Sequence, residues 1–522
     1  MSTSAWPLSN ISADAEPEPH RYLPGFLLRP VGRVYAKTTN HRVVGTVDGR
    51  TDHVVPRRQS LTHSSALADC VRTAVDSASA VTYDASNRRK SNLSLHKPLK
   101  EENVHKRLVW IVVAALVGFA AAQAPAVSKV GSLMSFTGAL AEFGPAINNG
   151  VNLALDQLNA AATAELGGPI AELITEDSAT SPAVGVDRAR KLVNTDNVVA
   201  MVGALSSGVT VAVAESVAIP SNVVMVSPAS TSPLVGMLPD ASDFIYRTVA
   251  SDALQGVVGA QLARGEIVPG HSFDTASIIY VNNPYGQGLT EAFEAAFTAR
   301  GGKVLAKVAH PEEPQPTYAA QLEQALAGNP GVLVAISYPG QATVYLQESR
   351  DLYNYTSWQF VDGTKSVDII DAVGADVVDG LYGTAPGADP DWAGYVTFSD
   401  DYDAAYGQRP PLPYIDTAYD AMAVIGLSIA KSLIDGVPVT SESVRDRMRE
   451  VANPDGEVVG VGEFQKAIQL MKAGKAINYT GAAGEVDFDS LGDVVTPVEI
   501  WQFKNGTIET IMVRTASEIP AQ

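Results

Sequence analysis

A chain of 522 residues that is 46% hydrophobic and 18% charged has material for more than one globular core. Its charge is unevenly spread: residues 1–122 carry 16 Lys+Arg against 10 Asp+Glu, and subtracting these from the totals of 37 and 57 leaves 21 against 47 for residues 123–522. A remainder at −26 argues against a nucleic-acid partner, which needs clustered Lys and Arg, and would be repelled by anionic lipid.

Residues 1–104 show no sustained periodicity and no methionine after Met1, which predicts either a disordered extension or a mis-called start, with translation beginning near Val104. Residues 105–122 have the layout of a secretory signal: basic His105-Lys106-Arg107, the apolar run Leu108 to Phe119, and the small residues Ala120 to Ala122. The apolar run falls short of the roughly 20 residues that a membrane span needs. Export and cleavage after Ala122 are therefore expected. The single cysteine, Cys70, precedes this segment, so disulfides would not contribute to the exported part.

The exported part opens with a predicted strand at Val127 to Met134, a helix from about Pro145 to Ala161, a strand at Ile170 to Thr175 and a helix at Pro182 to Val193. Next comes the stretch around which the rest is arranged. The β-branched run Val198 to Gly203 breaks into Ala204-Leu205-Ser206-Ser207-Gly208, an apolar helical segment follows from Val211 to Ile219, and a second strand, Val223 to Ser227, ends in Pro228-Ala229-Ser230-Thr231-Ser232-Pro233. The β-α-β-α-β order predicts a parallel sheet wound with helices on both faces. A second β/α unit follows, with a helix capped at Ser251-Asp252, strands at Ala276 to Val281, Lys303 to Ala309, Gly331 to Ser337, Trp358 to Val361 and Gly380 to Thr384, and helices at Leu289 to Arg300 and Tyr318 to Ala327. Asp391 to Gly407, Asp416 to Asp435 and Ser441 to Val451 read as helices. Gly481 to Asp493 reads as one hairpin, and Val498 to Arg514, turning at Asn505-Gly506, as another.

Two strands that end in loops of small hydroxyl residues place Ser206, Ser207 and the segment Ala229 to Thr231 where open α/β sheets bind ligands. Hydroxyls and amides without a nearby lysine suit a carboxylate better than a polyphosphate. Metal and nucleophile chemistry is poorly supplied: residues 123–522 contain only His271 and His310 and no cysteine. Gly286-Gln287-Gly288 lacks the third glycine of a dinucleotide fingerprint, Glu291 standing there, so no cofactor is expected. The series Asp487, Asp489, Asp493 mimics a calcium loop, but Leu491 and Val498 occupy ligand positions.

From about Ser128 to Thr515 the chain resembles the type I periplasmic binding proteins, specifically the branched-chain amino-acid-binding subgroup that feeds ABC importers. The resemblance is carried by Thr137-Gly138 through Phe143-Gly144, Gly203 through Thr210, Ser227 through Pro233, Tyr246-Arg247-Thr248, Tyr285 through Gly288, Tyr419-Asp420-Ala421 and Gly484 through Asp493, in that order and spacing. It implies two α/β lobes, residues 123–249 with 387–490 and residues 250–386 with 491–522, joined by crossings near Val249, Pro386 and Gly492. It also implies a non-enzymatic, monomeric periplasmic receptor that presents its ligand to a permease. Ser206, Ser207, Ala229, Ser230 and Thr231 would hold a ligand carboxylate, Asp252 would lie near its ammonium, and Phe143, Tyr285 and Tyr338 would cover its side chain. Where leucine-binding relatives carry a glutamate for the ammonium this chain has Thr364, with Asp362 two residues earlier. Either Asp362 takes over, or the ligand is an amide, urea or an aromatic acid. A sensory receptor on the same fold is one rival reading, and a hydrolase using Asp252 with Asp362 is another.

Overall fold

The computed structural model of the protein describes residues 124–519, so the readings for the N-terminal extension and the signal segment lie outside it. The chain begins with β1 (Ser128–Met134), α1 (Phe143–Leu166), β2 (Ala171–Asp177), α2 (Pro182–Lys191), β3 (Ala200–Gly203), α3 (Ser207–Val213), β4 (Val224–Ser227) and β5 (Ile245–Arg247). These strands form one parallel sheet in the order β2-β1-β3-β4-β5. Every residue of β3 and β4 is buried, as expected of central strands covered on both faces.

The chain then passes into a second lobe. There α4 (Asp252–Ala263), β6 (Thr275–Val281), α5 (Pro284–Ala299), β7 (Lys303–His310), α6 (Ala319–Leu326), β8 (Val332–Ile336), α7 (Pro339–Tyr353), β9 (Trp358–Phe360), α8 (Val367–Val373) and β10 (Tyr382–Pro386) alternate. It returns to the first lobe for α9 (Ala393–Tyr406), α10 (Ile415–Ile434), α11 (Ser441–Ala452), β11 (Glu457–Val459), α12 (Phe464–Lys472) and β12 (Ile477–Tyr479). It ends in the second lobe with the antiparallel pair β13 (Val498–Lys504) and β14 (Thr507–Arg514), giving a seven-stranded sheet ordered β14-β13-β10-β9-β8-β6-β7. Helix α10 is apolar and long enough to cross a membrane by composition, yet it lies within the core, packed on α1 and on β3 and β4. Burying each of its Leu, Ile or Val side chains contributes about 1.5–3 kcal/mol.

Several predicted boundaries shift for local reasons. Helix α5 starts at Pro284 rather than Leu289, because the Asn283 side chain accepts the Gly286 N–H at 3.0 Å and proline occupies the first helical position. Helix α3 starts at Ser207, four residues before the expected Val211. The segment Gly481 to Asp493 is not a hairpin. Only an isolated bridge between Thr480 and Glu485 forms, and the Asp489 carboxylate accepts from the N–H groups of Leu491 and Asp493 at 2.7 and 3.0 Å. That side-chain cap turns the chain before strand pairing can propagate.

Candidate functional site

Between the lobes lies a cavity lined by residues just past the carboxyl ends of β1, β3, β4, β6, β8 and β9 together with Tyr414. Parallel strands leave such a crevice where their following loops diverge. Leu140, Phe143, Ile147 and Leu205 make one apolar wall. Tyr285 and Tyr338 stack opposite, their ring centroids 5.8 Å apart and their planes within 9°. Gly363 allows this wall to close, since a Cβ there would sit 2.4 Å from the Ser337 carbonyl oxygen and 2.9 Å from the Tyr285 hydroxyl.

Asp362 is the polar hub. One of its oxygens accepts from Gln255 Nε2 at 2.7 Å and from the Tyr285 hydroxyl at 2.9 Å; the other accepts from the Tyr414 hydroxyl at 2.5 Å. Gln255 and Tyr285 belong to the second lobe and Tyr414 to the first, so the Tyr414 bond spans the cleft. Tyr414 reaches it from a left-handed backbone, φ 75°, a conformation that costs a non-glycine residue about 1–2 kcal/mol. Asp252 is fully buried at the start of α4, and neither of its carboxylate oxygens finds a hydrogen-bond partner of normal geometry. Burial first, and then the neighbouring Asp362 charge, push its carboxyl well above the usual range, while Thr231 and Arg247 act in the other direction. Burial raises Asp362 as well, against its three donors.

The residues singled out from sequence separate into groups. Phe143, Ser206, Ser207, Ala229, Tyr285, Tyr338 and Asp362 line the cavity. Asp252 and Thr231 sit behind the lining, joined where the Asp252 N–H donates to the Thr231 carbonyl at 2.8 Å. Ser230 and Thr364 are committed elsewhere. The Ser230 hydroxyl bonds Thr210 Oγ1 at 2.7 Å and the carbonyls of Ala204 and Leu205; the Thr364 hydroxyl both accepts from and donates to the Val361 backbone. The buried hydroxyls of Ser206 and Thr231 and the Gln255 carbonyl oxygen make no hydrogen bond of normal geometry, Ser206 lying beside Tyr338 and Thr231 beside Asp252. Gln255 could have been found from sequence, because it lies three residues beyond Asp252 on one helix face. Tyr414 follows a proline-rich loop, and nothing local marks it.

A second bond across the cleft joins the Ser366 hydroxyl to Glu142 Oε2, and a third joins the Ser232 hydroxyl to the Pro284 carbonyl at 2.9 Å. Burial, followed by the charges of Asp368 and Asp371 after the opposing Ser366 bond, moves Glu142 up to about 7. Opening the cleft returns this carboxyl to water, where about 4.3 is usual. The closed form therefore holds a proton that the open form releases between these values, and closure weakens as pH rises through that window. Ligand affinity measured by calorimetry from pH 5 to 8 should fall with rising pH, and Glu142→Gln should flatten the profile; an unchanged profile in that variant would exclude Glu142 as its source.

A family model described as periplasmic binding protein matches residues 128–473. The chain belongs to this family. Among relatives of the periplasmic binding protein, the chemotactic signal transduction system substrate-binding protein BasB of Halobacterium salinarum is 27% identical over 351 residues, covering 65% of this chain and 77% of its own. Leu/Ile/Val-binding protein homolog 3 of Brucella melitensis is 30% identical over 196 residues, 38% of this chain and 50% of its own length. In three dimensions the leucine binding protein LivK of Thermotoga maritima superposes with a TM-score of 0.61 at 22% identity, covering 75% of this chain and all of that one. The two-lobed architecture is that of a type I periplasmic binding protein, and its role is solute binding.

Proposed function

We propose that the protein is an extracytoplasmic, non-enzymatic receptor that closes over a small α-amino acid, a branched-chain one foremost, and delivers it to an ABC permease. The observation that supports this most directly is the pairing of an apolar wall with polar groups that line the same cavity, the Ser206 and Ser207 hydroxyls and the Asp362 carboxylate, among which the buried Ser206 hydroxyl has no hydrogen-bond partner of normal geometry. Unsatisfied buried groups are costly, about 1–3 kcal/mol each, and a ligand that supplied their partners would recover that cost on binding. An ammonium beside Asp362, with Asp252 behind it, would provide the positive charge that two neighbouring buried carboxyls lack. Ser206 and Ser207 would take the carboxylate, and Leu140, Phe143, Ile147 and Leu205 the aliphatic side chain. Bonds across the cleft from Tyr414, Ser366 and Ser232 favour closure around the bound solute.

The similarity to BasB favours a second reading, in which the occupied receptor signals to a chemotaxis system. Loss of solute uptake on deletion of the gene would point to transport, and loss of the taxis response with uptake intact to sensing.

Thermal unfolding of residues 123–522 against leucine, isoleucine, valine, polar amino acids, amides, urea and aromatic acids tests the ligand class. A ligand at 100 times its Kd stabilises the native form by about 2.7 kcal/mol. Branched-chain amino acids are expected to raise Tm. A rise only with amides, urea or aromatic acids would overturn the amino-acid assignment, and a ligand returned chemically altered would overturn the non-enzymatic one.

A further inference from the structure

On the far side of the loops that carry Asp362 and Tyr414 lies a second cavity, with walls from both lobes. From the second lobe come Lys365, Glu499 and Thr510; from the first come Tyr395, Arg409 and Asp416. This is a built site. Lys365, Asp416 and Glu499 are only 6%, 5% and 6% exposed, burial that charged side chains accept when something compensates them. Lys365 pairs with Glu499, whose other oxygen accepts from the Thr510 hydroxyl at 2.7 Å, so that corner is internally neutral.

The remaining two charges are not so matched. Arg409 lies over the Tyr395 ring, 4.7 Å from its centroid, and donates to the Tyr395 hydroxyl, but forms no ion pair with any described carboxylate. In a region with 47 acidic residues against 21 basic ones, an arginine without an acidic partner is unusual. Across the cavity Asp416 accepts the Thr417 N–H at 2.9 Å through one oxygen, and its other oxygen makes no hydrogen bond. The two line the same space without forming an ion pair; burial raises the Asp416 carboxyl, and the Arg409 charge acts against that rise. A simple anion would satisfy Arg409 alone and a simple cation Asp416 alone.

We propose that this hinge-side cavity is a second binding site, for a small zwitterion whose carboxylate lies against Arg409 and whose ammonium lies against Asp416. Both of these contacts come from the first lobe, and the second lobe closes the cavity over them with Lys365, Glu499 and Thr510. It also sits on the two loops that carry the cleft ligands, Lys365 being three residues from Asp362 and Asp416 two from Tyr414.

Thermal unfolding of the full chain with β-alanine, acetate or ethylammonium at constant ionic strength tests this. β-Alanine should give a saturable rise in Tm and the two half-charged probes none. In Arg409→Gln the half-saturating concentration of β-alanine should rise at least tenfold, whereas in Asp362→Ala, a cleft variant, it should be unchanged. Asp416→Asn should switch the preference, losing the β-alanine response and gaining one to acetate, a signature that impaired folding cannot produce. A β-alanine response that survives Arg409→Gln, one that vanishes only in Asp362→Ala, or no saturable response in the native chain would each overturn the proposal.

Discussion

Replacing Asp362 with alanine is expected to weaken binding of the cleft ligand by at least about 100-fold while changing the unfolding free energy of the unliganded protein little. In the closed form the substitution strands the donors of Gln255, Tyr285 and Tyr414 in a buried space, and each stranded donor costs about 1–3 kcal/mol. One such cost together with the lost ammonium partner reaches about 3 kcal/mol, and 1.4 kcal/mol is roughly tenfold in affinity. Opening the cleft hydrates these groups, so the penalty falls on closure rather than on folding. Tyr414→Phe removes only the one of these three bonds that crosses the cleft and should cost about tenfold, in keeping with about 1.5–3 kcal/mol for a hydrogen bond to a charged group. Calorimetric titration of both variants decides the matter; binding by Asp362→Ala within threefold of the native chain would show that the carboxylate is not the hub.

Arg247→Met is expected to lower the unfolding free energy by about 3–5 kcal/mol, the usual consequence of removing one partner of a buried ion pair. The Arg247 side chain is 1% exposed and holds both oxygens of Asp493, 18% exposed, through Nε and Nη2. Its Nη1 donates to the carbonyls of Ser230 and Ser232, and its backbone N–H donates to the Gly492 carbonyl at 3.0 Å. One residue on β5 thus fastens the loop after β4 to the segment leading into β13. Lysine could not reproduce the fork. Replacing both partners, Arg247→Met with Asp493→Leu, should recover much of the loss, because no orphaned charge remains. Denaturant midpoints with an unchanged m-value give the comparison; a loss below about 1 kcal/mol for the single variant would rule the clamp out as a stabilising element.

The alternation of the fold was legible because its central strands are short apolar runs rich in valine, Val223 to Ser227 among them, while Ser251 and Asn505-Gly506 mark a helix start and a turn by residue type. The false hairpin at Gly481 to Asp493 has turn residues in plenty, but a carboxylate cap at Asp489 uses the N–H groups that a ladder would need. In the site, hydroxyls and acids at strand ends were readable as a class. Their individual employment was not: Ser230 and Thr364 spend their hydroxyls on nearby groups, and Ser206 does not. Tyr414 was out of reach because its role depends on a left-handed backbone and on a partner 52 residues away.

The threefold passage of the chain between lobes bears on how the protein can be made. The first sheet is finished at Arg247, but α10, which packs on β3 and β4, ends only at Ile434. The second sheet waits longer still, since β13 and β14 arrive last and β13 pairs with β10. No contiguous piece of the polypeptide contains a complete lobe. During synthesis each half-built sheet keeps an apolar face or an unpaired edge until the chain is nearly complete, which makes holding the nascent chain unfolded the safer course.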